Sequence, residues 1–309
     1  MTSPRPLAVV GNVNVDLIMG PVPPWPAPGT EMIVDHSDLR LGGAAGNVAL
    51  AWQAFGRAFQ IASNTGSGPF GDWLRQGFAP QSARWPIADT ETTLSVGLTH
   101  PDSERTFFTS RGHLDQLTWP QVRDMLDWPR LAGGMLLVCG SFVCEALARE
   151  HEALFAHARA HRVSIALDTG WPADGWSAEI LRQVQGWLRY CDCLLLNEAE
   201  TRALSGGLSP DLAPASLLPL MPERAVVVVK CGPDGAVARA TGGPLLTMPA
   251  PRVTALDTIG AGDIFNAGFL AGWSDGLPLK ACLDRGVRCA STAVSTAPRR
   301  YTAAGELPG

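Results

Sequence analysis

The heptapeptide DTIGAGD carries a carboxylate at each end, Asp257 and Asp263, and three small residues directly before the second. It stands where an extended segment gives way to the apolar, helix-like run IFNAGFLAGW. At a helix start the first N–H groups lack intrahelical partners, and the macrodipole adds partial positive charge. Gly260, Ala261 and Gly262 would let an anion approach that backbone closely. An anion cradle with a carboxylate at its edge suits phosphoryl transfer. The amides stabilise charge on the moving phosphate, and Asp263 accepts the proton of an attacking hydroxyl. The local sequence fits equally well a glycine turn followed by a helix that Asp263 merely caps.

Other segments bear on that choice. GNVNVD sets Asn14 and Asp16 two apart on an extended strand, so both face one side, as hydrogen bonding to sugar hydroxyls requires. LGGAAGNVALAWQAFG (Leu41–Gly56) is a second glycine-rich helix start, with Asn47 in it. LLLNEAET places Asn197 and Glu200 just past a buried strand, where open α/β sheets hold their ligands. KCGPDGA, from Lys230 to Ala236, is a further glycine-rich turn after a strand. Taken singly, each has a plainer reading: Asn14 as a turn former, Glu200 as a helix-start charge, Gly232 and Gly235 as a hairpin turn. GSGPFG (Gly66–Gly71) fits G-x-G-x-x-G, but it follows the second strand rather than the first and contains Pro69. It reads as a turn before a helix, and a dehydrogenase has no other support. No P-loop motif is present.

These residues need a frame. Short apolar runs read as buried strands: LAVVG, FQIAS, MLLVCG, VSIALD, CLLLN and AVVVVK. Segments of helical composition such as CEALAREHEALFAHARAHR separate most of them. The alternation predicts a doubly wound, mainly parallel α/β sheet flanked by helices. Two segments depart from it. Thr92–Ser110 alternates apolar and polar residues around the turn-like Pro101-Asp102-Ser103-Glu104, and Gly29–Gly43 reads as extended. Together they predict a small antiparallel β lid beside the main sheet. The lid segments span about residues 12–43 and 92–111 of one domain covering 1–309.

The bulk numbers exclude several classes. A chain of 309 residues, 46% hydrophobic, can bury a sizeable core. A formal net charge of −5 without like-charge blocks excludes a nucleic-acid footprint and an anionic membrane surface. No apolar run has the length of a membrane span, and the N-terminus leads into a strand rather than a signal peptide. Seven cysteines without C-x-x-C pairs read as buried thiols in a reducing cytoplasm.

In this order the motifs resemble the ribokinase-like (PfkB) family of carbohydrate kinases over nearly the whole chain. DTIGAGD matches that family's C-terminal signature, GGAAGN (Gly42–Asn47) its N-terminal one, and Asn197-x-x-Glu200 a third motif. The resemblance implies ATP-dependent phosphorylation of a sugar hydroxyl, a primary CH2OH, with Asp263 as base and the Gly260-Ala261-Gly262 backbone as anion hole. It implies that Asn14, Asp16, Gly42, Gly43 and Asn47 hold the sugar. Asn197 and Glu200 would sit near the nucleotide phosphates and organise Mg²⁺ mostly through water, while Lys230, Gly232 and Gly235 line the nucleotide site. Asp257 corresponds to a monovalent-cation (K⁺) site of some members. A homodimer through the lid is a further implication. Two departures stand out. Gly140 replaces the acidic sugar ligand of ribokinases proper, so ribose is not favoured. Arg299, Arg300 and Tyr301 replace small residues near the adenine, which bears on both cation and base. A nucleoside kinase on the same scaffold remains open, as does, less readily, a sugar-binding regulator without catalysis.

Overall fold

The computed structural model describes residues 3–22, 25, 27–100 and 105–301. The turn expected at Pro101–Glu104 lies outside the described residues.

The expected buried runs form one sheet. Its order from edge to edge is Leu245–Met248, Ala236–Ala240, Val226–Lys230, Cys193–Asn197, Ser164–Asp168, Met135–Cys139, Leu7–Val10 and Gln60–Ala62. The six strands from Val226–Lys230 to Gln60–Ala62 pair in parallel. Ala236–Ala240 and Leu245–Met248 add antiparallel pairings at the edge, the first turning back from Val226–Lys230 at Gly232–Gly235.

Alternate residues of each strand feed different faces. Val9 and Leu137 belong to one hydrophobic cluster, while Ala8, Val10, Leu136 and Val138 belong to the other. Both faces are covered by helices, which is why these strands read as unbroken apolar runs. On the first face lie the helices Ala44–Ala54, Ala261–Ser274 and Leu279–Val294. Trp52 is fully buried there, and its Nε1–H donates to Ala267 O at 3.0 Å, fixing the first helix against the second. Burying one such large side chain contributes roughly 1.5–3 kcal/mol.

The lid is a separate four-stranded sheet in the order His36–Gly42, Asn14–Gly20, Leu94–Thr99, Arg105–Thr109. Its outer pairings are antiparallel. Its central pairing, Asn14–Gly20 with Leu94–Thr99, is parallel, because both strands leave the main body in the same direction. Where they leave it, His113 joins them. Its Nδ1 accepts the Thr93 N–H at 3.0 Å, and its Nε2–H donates to Val13 O at 3.0 Å. Burial lowers its pKa to about 4. The Asn64 side chain ties down the His113 carbonyl at 2.7 Å, and the Thr93 hydroxyl that of Arg111 at 2.8 Å.

GSGPFG, expected to be a turn, instead leaves the short strand Thr65–Ser67 and enters a helix, with Gly68 alone between them. Gly68 precedes the helix Pro69–Gly77, and a β-carbon on Gly71 would fall 2.1 Å from Gly66 O. The described residues contain no helix long and apolar enough to cross a membrane. All seven cysteines are described, and none forms a disulfide.

Candidate active site

The two glycine-rich helix starts face each other. The Ala44–Ala54 helix begins at Gly43, with φ 86°, and the Ala261–Ser274 helix at Gly260, with φ 72°. Both backbones need the conformational range of glycine, and neither start has a side-chain cap. Asp263 therefore does not cap its helix. Its Oδ2 instead accepts the Asn47 side-chain N–H at 2.9 Å. Asn47 also covers Gly260, where a β-carbon would fall 2.6 Å from its Nδ2. Burial raises the Asp263 carboxyl to about 7, with repulsion from Asp168 adding to it and Asn47 and Lys230 opposing. A base tuned close to neutral pH suits proton transfer.

The start at Gly43 is filled from within. Asn12 Oδ1 accepts the Ala44 N–H at 3.3 Å, and the Asn12 carbonyl accepts the Ala45 N–H at 3.1 Å. The start at Gly260 keeps its amides. Ala261 N–H donates to Thr258 O at 3.2 Å, while the N–H groups of Gly262 and Asp263 have no backbone acceptor among the described residues.

Asn14 and Asp16 share one face, as their spacing predicts. Asn12, Asn14 and Asp16 form a chain of side-chain hydrogen bonds of 3.0 and 2.7 Å. The Asp16 carboxylate lies over Gly42, whose β-carbon would fall 2.1 Å from Oδ2. Burial raises Asp16 to about 6, opposed mainly by Arg40 and Asn14. A β-carbon on Gly140 would meet Asn12 Oδ1 at 2.0 Å, so no side chain fits at this position.

A cleft of about 1040 Å³ opens on the other side of Asp263. Gly260, Ala261, Gly262, Asn197, Glu200, Lys230, Gly232 and Gly235 all line it, together with Asp168. Asn14, Asp16, Gly42, Gly43 and Asn47 do not line it and adjoin it through Ala44 and Asp263. The far wall, including Val253, Val287, Ala290 and Val294, is mostly apolar.

Lys230 does more than line the cleft. Its ammonium donates to Asp168 Oδ2 at 2.6 Å, and the Asn266 side chain donates to the same oxygen at 2.6 Å. A β-carbon on Gly262 would be 3.5 Å from Lys230 Nζ, which places a fixed cation beside the open amides. Burial works against that charge, but Asp168 and Glu200 hold the Lys230 pKa above its ordinary value.

Asn197 and Glu200 form a capping box at the start of the helix Glu198–Leu204. Asn197 Oδ1 accepts the Glu200 N–H at 2.9 Å, and Glu200 Oε2 accepts the Asn197 N–H at 2.8 Å. The structural role and a place in the cleft thus coincide. Burial, then repulsion from Asp168, raises Glu200 to about 7.

Asp257 is fully engaged. Its Oδ1 accepts the Ile259 N–H at 2.8 Å, and its Oδ2 accepts from Arg40 Nη1 and Arg299 Nη2, each at 2.5 Å. Burial pushes its carboxyl up, but the two guanidiniums outweigh this and hold it below the usual range. Arg299 turns its guanidinium toward Asp257.

Asp168, Asn266, Asn12 and Arg40 were not singled out as site residues from sequence. Asp168 gave a signal, as the polar end of a buried strand at a sheet's carboxyl edge, and Asn12 another, two residues before Asn14.

Comparison with known proteins identifies the family and the fold. Residues 5–301 match the model of the pfkB family carbohydrate kinases. A fructokinase from Klebsiella pneumoniae is 31% identical over 243 residues, covering 75% of this chain and 76% of that protein. Fructoselysine 6-kinase from Escherichia coli is 42% identical over 69 residues, a match that spans only 26% of that enzyme's length. A probable sugar kinase from Rhizobium etli superposes with a TM-score of 0.80 at 19% identity, over 97% of this chain and 96% of that one, and shares the fold. The chain belongs to the pfkB family of carbohydrate kinases.

Proposed function

We propose that this kinase transfers the γ-phosphoryl group of ATP to a primary hydroxyl of a sugar lying between Asp16 and Asp263. The observation that carries the reading is the contrast at Asp263. Its carboxylate is held by Asn47 at 2.9 Å instead of capping its own helix, and the adjoining amides are left open.

In the reaction the sugar O–H proton passes to Asp263 as the new O–P bond forms and the bond to the ADP oxygen breaks. Asn47 holds one carboxylate oxygen and leaves the other to take the proton. The Gly262 and Asp263 amides meet the charge on the moving phosphoryl group. Lys230, fixed by Asp168, supplies positive charge beside them. Asn14 and Asp16 orient the sugar, with Gly42 and Gly43 leaving them room.

Mg²⁺ would neutralise phosphate charge. The buried, mutually repelling carboxylates of Glu200 and Asp168 favour its presence. No cluster of three or more metal-ligating side chains exists among the described residues, so water and phosphate oxygens would complete its shell. Exposed Leu39, Phe107 and Phe108 on the lid support a homodimer formed there. The use of ATP and the lack of disulfides go with a cytoplasmic setting.

The test is ATP consumption across a panel of sugars, led by fructose and fructoselysine after the relatives' names, with nucleosides included. Turnover with a sugar supports the reading. Turnover confined to nucleosides replaces the sugar with a nucleoside on the same site, and silence across the panel with ligand binding intact points to a regulator.

A further inference from the structure

The family resemblance implies a monovalent cation beside Asp257 in some members, and the residues here do not fit one. A cation site needs oxygen atoms with lone pairs to spare. Asp257 Oδ1 is used by the Ile259 N–H at 2.8 Å, and Oδ2 by two guanidiniums at 2.5 Å each. The adjacent C-terminal carbonyl, Val294 O, accepts the N–H groups of both Leu256 and Asp257, at 2.7 and 3.2 Å. The two positive charges of Arg40 and Arg299 outnumber that of Asp257. Asp38, the other carboxylate on Arg40, is 3.6 Å away and half exposed. A further cation at contact distance would be repelled.

Resting on the kinase reading above, we infer that Arg40 and Arg299 do by fixed charge what a bound monovalent cation would do, clamping the Asp257–Gly260 loop so that phosphoryl transfer is indifferent to K⁺. The connections show what is clamped. Arg40 lies on the lid strand two residues before Gly42, opposite Asp16 in the strand pairing. Asp257 bonds forward to Ile259, the residue before the left-handed Gly260 that opens the anion hole. Arg299 comes from the segment after the last long helix. Three stretches far apart in sequence thus meet at one carboxylate oxygen, and two of them carry the sugar face and the anion hole. Arg40 and Arg299 are positioning residues, since they act through this loop.

The test compares ATP turnover and melting temperature in KCl and in tetramethylammonium chloride at equal ionic strength. The rate and the melting temperature should be the same in both salts. A saturable rise of either with K⁺ overturns the inference. Arg299→Ala should lower kcat about tenfold or more, as loss of a charge-assisted hydrogen bond implies, with a smaller change in the KM for ATP. Added guanidinium or K⁺ should restore part of that loss, and Arg299→Lys should keep most of the rate. An Arg299→Ala enzyme that folds and turns over normally refutes the role. If the variant does not fold, the salt comparison on the parent protein still decides. If no acceptor supports turnover, the kinase reading fails, and K⁺ dependence of the melting temperature alone decides the inference.

Discussion

The helix starts at Gly43 and Gly260 have nearly the same composition and opposite uses. At Gly43 the free amides are taken by Asn12, two residues before the strand proposed to hold the sugar, so the glycines serve close packing. At Gly260 the amides of Gly262 and Asp263 stay open beside a lysine ammonium. Small residues at a helix N-terminus permit an anion site. Whether one exists depends on what the rest of the chain brings to that end. Asn47 belongs to the first helix and holds the carboxylate of the second, so the two starts form a single device.

This contrast predicts that changes at the second start act on turnover, changes on the adjoining Asn14–Gly20 strand on sugar binding, and changes at the first start on stability and on the tuning of Asp263. The largest effect is expected for Asp263→Asn, which keeps size but cannot accept the proton. kcat should fall by about 10²–10⁴-fold, with ATP affinity retained in a calorimetric titration. Near-normal turnover would break the assignment. With the Asp263 pKa raised to about 7, the parent's rate should climb with pH through neutrality as the carboxylate ionises. Asp16→Asn should weaken sugar binding about tenfold or more, each charge-assisted bond being worth roughly 1.5–3 kcal/mol. ATP affinity measured without sugar should stay as it was, and equal losses for both ligands would erase the division of labour.

Third in size is a pair of alanines read by thermal melts. Gly43→Ala puts a side chain at φ 86° with a β-carbon 2.5 Å from Asn12 O, and should cost about 1–3 kcal/mol in backbone strain before the clash is counted. Gly262→Ala meets only Lys230 at ordinary contact distance, so it should melt near the parent while losing turnover. The reverse pattern would exchange the roles of the two starts. The smallest effect is expected from Asn47→Ala. It removes a hydrogen bond that favours the ionised Asp263, so the acid limb of the pH–rate profile should move to higher pH. An unmoved limb would mean that this bond does not tune the base.

The frame was readable because its signals are local. Six buried strands, the glycine turns and the lid segments each show within a dozen residues of sequence. The charge network was not readable, because its members meet only on folding. Lys230 finds Asp168 across 62 positions, Asn266 finds Asp168 across 98, and Arg40 finds Asp257 across 217. Motif matching singled out Lys230 and Asp257 but could not say that each is already paired, with Asp168 and with Arg40. Asn12 escaped, although it continues the two-residue spacing of Asn14 and Asp16, because its work is done toward the interior, against Gly140 and the Ala44 amide.

His113 gives the lid a mechanical character. The strands leaving the body at Val13 and Thr93 are riveted to one neutral imidazole, which Asn64 fastens to the body. The lid is anchored at its root, and a second tie crosses to the body where Arg40 of His36–Gly42 meets Asp257. Any movement of the lid against the body would have to break one of these ties or bend the sheet beyond both. Asp16, paired with Arg40, and Gly42, two residues further on, lie close to both ties and are held in register with the body.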